Sequence, residues 1–293
     1  MAVLKIENLS KTYPNGVIAL NNVSLEISNG MFGLLGPNGA GKSTLMRTLA
    51  TLQEADKGKA FLNDIDILNH PTQLRQVLGY LPQEFGVYPR ITAAQLLDHI
   101  AVLKGVSNKK ERREVVEYLL AKVNLFKERN KSVKGFSGGM KQRIGIAQAL
   151  IGNPQLIIVD EPTAGLDPGE RNRFHNLLAD VGENVIVILS THIVDDVHEM
   201  CSNMAIMNQG EIVYAGTPAA VLEELKGRVW VKSILREEME TYRSQYHVIS
   251  DKMIAGNPQI HILSDSDPGH GFAPQNPDLE DVFFTKITPH VNS

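Results

Sequence analysis

The stretch Gly36-Pro37-Asn38-Gly39-Ala40-Gly41-Lys42-Ser43 constrains this 293-residue chain more than any other. It fits the pattern G-x-x-x-x-G-K-[ST], and its flanks give the pattern meaning. Upstream, Met31 to Leu35 is a short, mostly apolar run that reads as a buried strand; downstream, Leu45, Met46, Leu49 and Leu52 recur at helical spacing. Strand, glycine loop and helix in that order make a cradle for phosphate. Consecutive backbone N–H groups wrap phosphate oxygens only where no side chain blocks the approach, and Gly36, Gly39 and Gly41 permit this. The helix beginning near Lys42 points unpaired N–H groups and its positive dipole end at the anion. Lys42 adds a point charge for the terminal phosphates, and the Ser43 hydroxyl is a ligand for Mg2+.

A buried strand ending in carboxylates is the expected partner of such a loop, and Leu156-Ile157-Ile158-Val159-Asp160-Glu161 has that form. Asp160 is the candidate to hold Mg2+ through water, and Glu161 the candidate general base facing the attacking water. Two more apolar runs end in polar residues, Val77 to Leu81 at Pro82-Gln83 and Val185 to Leu189 at Ser190-Thr191-His192. Ligands of open parallel sheets gather at the carboxyl ends of strands, so Gln83 and His192 join the candidate site. Phe136-Ser137-Gly138-Gly139-Met140 opens another helix, with Ser137 as its N-cap and paired glycines baring the backbone. The chain thus carries two helix starts suited to an anion.

The first 35 residues alternate apolar and polar positions, as in Leu4/Ile6 and Val23/Leu25/Ile27, broken at Pro14-Asn15-Gly16 and Ser28-Asn29-Gly30. This is hairpin-like antiparallel sheet, with Tyr13 in its first turn region. From Thr92 to Leu125 the pattern is helical, and the mixed charges of Lys109 to Arg113 read as a solvated helix start. Thr163 to Pro168 reads as a turn, and Met204–Asn208 and Glu211–Ala215 as a hairpin closing the first domain. Beyond it, Val229-Trp230-Val231, His247-Val248-Ile249 and Ile260-His261-Ile262 are short strand candidates and Arg236 to Glu240 a helical one. Asp265 and Asp267 read as members of a solvated turn rather than a metal site.

Hydrophobic residues make up 43% and charged residues 21%, which excludes a disordered chain, and no apolar run approaches the roughly 20 residues that span a bilayer. The N-terminus shows neither a basic leader nor a long apolar segment, and the single cysteine, Cys201, has no companion for a disulfide or metal. Both features place the chain in the cytoplasm. A formal charge of -4 argues against nonspecific nucleic-acid binding, so no nucleic-acid partner is expected.

Taken in order, GPNGAGKS, FSGGM, LIIVDEP, AGLD and STH make residues 2 to 225 resemble the nucleotide-binding subunit of an ATP-binding cassette (ABC) transporter. A phosphate loop alone leaves many ATPase families open; the signature FSGGM in this order is specific to one. Phe136 and Met140 replace the outer members of the family's most frequent signature, LSGGQ. The resemblance implies an α/β fold: a P-loop NTPase core with a parallel sheet, a small antiparallel β subdomain and a helical subdomain over about 92–152. Residues 1–225 would form this domain and 226–293 a small C-terminal α+β accessory region.

It further implies an ATPase using ATP and Mg2+. ATP would be bound by Gly36, Pro37, Asn38, Gly39, Ala40, Gly41, Lys42, Ser43 and Thr44, with Tyr13 stacked on adenine. Ser43, Gln83 and Asp160 would serve Mg2+, Gln83 also sensing the attacking water, and His192 would hold the γ-phosphate. Ser137, Gly138 and Gly139 would meet the γ-phosphate of ATP held by a second subunit, and Asp167 would cross the same interface. One set of motifs per chain leaves each site incomplete, which predicts a head-to-tail two-fold homodimer. Separate transmembrane permease subunits would be supplied in trans and bring the chain to the cytoplasmic face of the membrane. Their expected contact is the groove near Gln83 and Phe85-Gly86-Val87-Tyr88-Pro89-Arg90. The tail with Leu279-Glu280-Asp281-Val282-Phe283 resembles exporter-type subunits. A soluble cassette ATPase acting on ribosomes, DNA or protein complexes is the alternative.

Overall fold

The computed structural model describes residues 1–83, 86, 90–163, 166–254 and 256–288. Strands β1 (Val3–Thr12) and β2 (Ile18–Ser28) pair antiparallel around a turn in which Tyr13 N donates to Val17 O at 2.9 Å. Their alternation of buried and exposed positions puts Leu4, Ile6, Val23, Leu25 and Ile27 on one covered face. Then come β3 (Gly30–Leu35), α1 (Lys42–Leu49), β4 (Lys57–Leu62) and β5 (Ile65–Asp66). Strands β1, β2, β4 and β5 form one antiparallel sheet in the order β2-β1-β4-β5.

Helix α2 (Pro71–Val77) leads into β6 (Leu78–Leu81), so the apolar run beginning at Val77 enters its strand one residue later. Three helices follow: α3 (Ala93–Leu103), α4 (Lys109–Lys122) and α5 (Gly138–Ala149). Thr92 and Gln95 close α3 with a reciprocal capping box, and Asn108 caps α4. Leu97, Ala101, Val116, Leu119, Leu120 and Ile144 pack among them.

The remaining core elements are β7 (Leu156–Asp160), α6 (Pro168–Gly182), β8 (Ile186–Thr191), α7 (Val194–Met200), β9 (Asn203–Asn208) and β10 (Glu211–Gly216). The six-stranded central sheet runs β10-β9-β3-β8-β7-β6. Strand β3 lies parallel to β8 and β9, and β6 and β7 extend the parallel set; only β10 turns back antiparallel. Strands β7 and β8 are buried along their whole length, as strands covered on both faces must be. Their carboxyl ends, with those of β3 and β6, therefore meet at one edge of the sheet.

After α8 (Pro218–Leu225) a third sheet is built from β11 (Val229–Ser233), β12 (Val248–Ile254), β13 (Asn257–Leu263) and β14 (Ala273–Gln275), in the order β12-β13-β11-β14. A 3-10 turn at Arg236–Glu238 passes into α9 (Met239–Gln245). The last helix, α10 (Leu279–Ile287), packs on this sheet and on the main body at once. Val282 and Phe283 share a core with Val197, Val221 and Leu225, Lys286 pairs with Glu224 at 2.7 Å, and Asn208 Nδ2 donates to Ile287 O at 3.1 Å. In the intervening turn Asp265 pairs with Arg228 at 2.6 Å and Asp267 Oδ1 accepts Gly269 N at 2.8 Å. Among the described residues no helix is long and apolar enough to cross a membrane.

Candidate active site

The phosphate loop joins β3 to α1 with backbone demands that only glycine meets. Gly41, the N-cap of α1, has φ +108, and a Cβ there would lie 2.3 Å from Ala19 O on β2. Gly39 has φ +82 and open space where its Cβ would stand. The two glycines thus differ in role: Gly39 keeps the cradle open, while Gly41 lets the loop press against the antiparallel sheet. Among the described residues no side chain caps α1, which leaves its first N–H groups directed at the cradle.

Lys42 is buried at 4% exposure, with Nζ donating to Gly36 O at 2.6 Å and Pro37 O at 3.1 Å. Burial pushes its ammonium below the usual lysine range, and the Glu161 and Asp160 charges oppose that shift. A cavity of about 420 Å³ opens above the loop, lined by Asn38 to Thr44 together with Tyr13, Val17, Ala19, Gln83, Glu161 and His192. The Tyr13 hydroxyl meets Thr44 Oγ1 and Gln53 Oε1, each at 3.1 Å, which fixes the ring at the mouth of the cavity. Val17 and Ala19 belong to the lining, although no sequence motif marks them.

Glu161 is the centre of the polar cluster. Gln83 Nε2 donates to its Oε2 at 3.1 Å, and His192 Nδ1 lies 3.3 Å from its Oε1. Its backbone is left-handed, with φ +47, and Glu161 N donates to Ser190 O at 2.9 Å. A non-glycine residue in that region is strained and persists where its surroundings over-determine it, as at sites of function. Asp160, at the end of β7, is 4% exposed, and its Oδ1 has no hydrogen-bond partner among the described residues. Burial pushes its carboxyl up, the Glu161 charge adds to this, and Ser190, Ser43 and Lys42 oppose it. A buried carboxylate oxygen left unpartnered beside the Ser43 hydroxyl is a donor set that fits a hard divalent cation.

The structure does not bring Ser137, Gly138, Gly139 or Asp167 to this cavity. Ser137 Oγ caps α5 by accepting Met140 N at 3.3 Å, with Ser137 and Gly138 exposed; Gly139 is buried, and a Cβ on it would lie 2.5 Å from Glu170 Oε2. Asp167 Oδ1 caps α6 by accepting Glu170 N at 2.9 Å. Of the groove expected to meet a permease, Phe85, Val87, Tyr88 and Pro89 lie outside the described residues, as do Ala164 and Gly165 of the turn before Asp167. Cys201 is buried at the end of α7, and burial, with the Asp196 charge, pushes its thiol up to about 12.

A parallel sheet with a glycine loop at one strand end and buried carboxylates at the next defines the class of P-loop nucleoside triphosphatases. A family model described as ABC transporter matches residues 20–164. The chain is 34% identical over 262 residues to the uncharacterized ABC transporter ATP-binding protein YxlF of Bacillus subtilis, covering 89% of this chain and 86% of that protein. It is 33% identical over 268 residues to the probable multidrug ABC transporter ATP-binding protein YbhF of Escherichia coli, covering 89% of this chain and 46% of that one. A dimeric ATP-binding cassette in a post-hydrolysis state, bound to ADP and Pi, superposes with TM-score 0.66 at 27% identity, covering 73% of this chain and 98% of that chain. The chain belongs to the ABC transporter family, as an ATP-binding cassette ATPase.

Proposed function

We propose that this cassette binds and hydrolyses ATP to drive a membrane transporter, closing on a second copy of itself and acting on permease subunits carried by other chains. The observation that carries the dimer is the separation within one chain of the cavity from Ser137, Gly138, Gly139 and Asp167. A second copy brought head to tail would supply these groups to the first copy's ATP, and the reverse. Similarity to YbhF, a probable multidrug transporter subunit, supports export as the direction. Residues 1–225 are taken as the motor domain and 226–293 as an accessory region held to it through α10 by the Lys286–Glu224 pair and a shared core; the separate cluster of Ile234, Ile260, Ile262 and Phe272 supports the division.

In this reading the loop from Gly36 to Thr44, through the N–H groups of its residues other than Pro37, and the Lys42 ammonium bind the phosphates, and Tyr13 stacks on adenine. Mg2+, when bound by Ser43 and Asp160 with Gln83 nearby, would neutralise charge on the phosphate oxygens. Glu161 accepts the proton of the attacking water, and Gln83 orients both. His192 holds the γ-phosphate and stays beside the Glu161 carboxylate.

Glu161→Gln tests the scheme. The variant is expected to bind ATP and lose turnover on the order of 10²- to 10⁴-fold. With ATP and Mg2+ it should accumulate as a dimer in size-exclusion chromatography with light scattering. A variant that stays monomeric under these conditions removes the dimer, and one that hydrolyses at the wild-type rate removes the general base.

A further inference from the structure

The motifs leave unused a buried carboxylate that binds side chains from the segments following Glu161 and preceding His192 and from α6. Asp196, on α7, is fully buried. Its Oδ1 accepts Arg171 Nε at 2.8 Å, lies 2.7 Å from Arg171 Nη2 in the same ion pair, and meets His175 Nε2 at 2.9 Å. Its Oδ2 accepts Thr163 Oγ1 at 2.6 Å and Thr191 Oγ1 at 3.3 Å. Thr163 and Thr191 sit close in the chain to Glu161 and His192, and Arg171 and His175 lie on the helix that Asp167 caps.

Thr163 lies two residues beyond Glu161, whose left-handed backbone needs external support. The same Thr163 offers its carbonyl to Leu166 N at 3.1 Å, on the way to Asp167. Thr191 precedes His192, and its hydroxyl oxygen accepts Ile193 N at 2.9 Å, so both neighbours of the histidine are held. Arg171 and His175 are on successive turns of α6, whose N-cap is Asp167.

We propose that Asp196 is a positioning residue for hydrolysis: one buried carboxylate that gathers Thr163, Thr191 and α6 and so sets Glu161, His192 and Asp167 relative to one another. The inference rests on the roles assigned above to Glu161 and His192. A displacement of about 1 Å between a base and its water lowers turnover on the order of 10²-fold. ATP binding rests mainly on the phosphate loop, which Asp196 does not touch. Loss of the carboxylate therefore lowers kcat and spares affinity, whereas a general packing role lowers stability alone.

The test is steady-state ATPase kinetics with Mg2+, ATP affinity and thermal unfolding on Asp196→Asn, Thr163→Val, Thr163→Ser and Glu161→Gln. Asp196→Asn and Thr163→Val should lose kcat roughly 10- to 100-fold with KM and ATP Kd changed less than about threefold. Thr163→Ser, which keeps the hydroxyl, should restore kcat. Wild-type kcat with a lowered Tm, or equal losses in kcat and ATP affinity, overturns the proposal. If Asp196→Asn does not fold, the Thr163 pair decides: equal kcat in Val and Ser variants overturns it. Glu161→Gln separates the two levels. Turnover retained there sinks the general-base reading, and turnover lost there with full kcat in Asp196→Asn sinks only the positioning role.

Discussion

Lys42 is folded onto its own loop, bonded to Gly36 O and Pro37 O and largely withdrawn from water. Phosphate oxygens are stronger partners for an ammonium than backbone carbonyls. Lys42→Ala should weaken ATP binding about tenfold or more, the worth of a charge-assisted hydrogen bond, and lower turnover with it. Isothermal titration beside the ATPase assay checks both, and unchanged affinity would remove Lys42 from the binding site. Most of this site was legible at the residue scale, because phosphate and metal chemistry allow few residue types at each place. Val17, Ala19 and Asp196 were not, since an apolar residue at or just before the start of a strand and an aspartate in a helix carry no mark until their neighbours are known.

At the scale of elements, α10 joins the third sheet to the main body. Asp281, 1% exposed, accepts His261 Nδ1 at 2.7 Å from β13 and Ser250 Oγ at 3.2 Å from β12. Burial alone would push its carboxyl up, but His261, the Asp278 backbone and Ser250 hold it below the usual carboxylate range. A carboxyl lowered on folding stabilises the protein fully above its unfolded pKa of about 3.9, and that contribution is lost as pH falls through the lower folded value. Asp281→Asn should therefore cost about 1–3 kcal/mol near neutral pH and flatten the acid side of the stability profile. Denaturant melts from pH 7 to pH 3 test this, and parallel wild-type and variant profiles would refute it. The helical run from Thr92 and the short strands after Val229 were visible from apolar spacing. Strand β14, Ala-Pro-Gln, was not, because it is exposed throughout and exists only where β11 offers an edge.

At the scale of the whole molecule, the cavity above the phosphate loop and the signature groups Ser137, Gly138 and Gly139 of the same chain do not meet. Extraction of this subunit with its membrane in mild detergent is expected to recover a polytopic partner in stoichiometric amount; recovery with ribosomes or DNA instead would favour the alternative class. The sequence by itself determined the family, the order of strand, loop and helix, and the residue types of the phosphate cradle. Local backbone geometry and charge dictate these within a few residues. Only the tertiary structure decided that Gly41 is required by Ala19 O, that Glu161 is strained between Gln83 and His192, and that α10 bridges two sheets. These depend on contacts between segments far apart in the chain, which burial and packing select and no local pattern encodes.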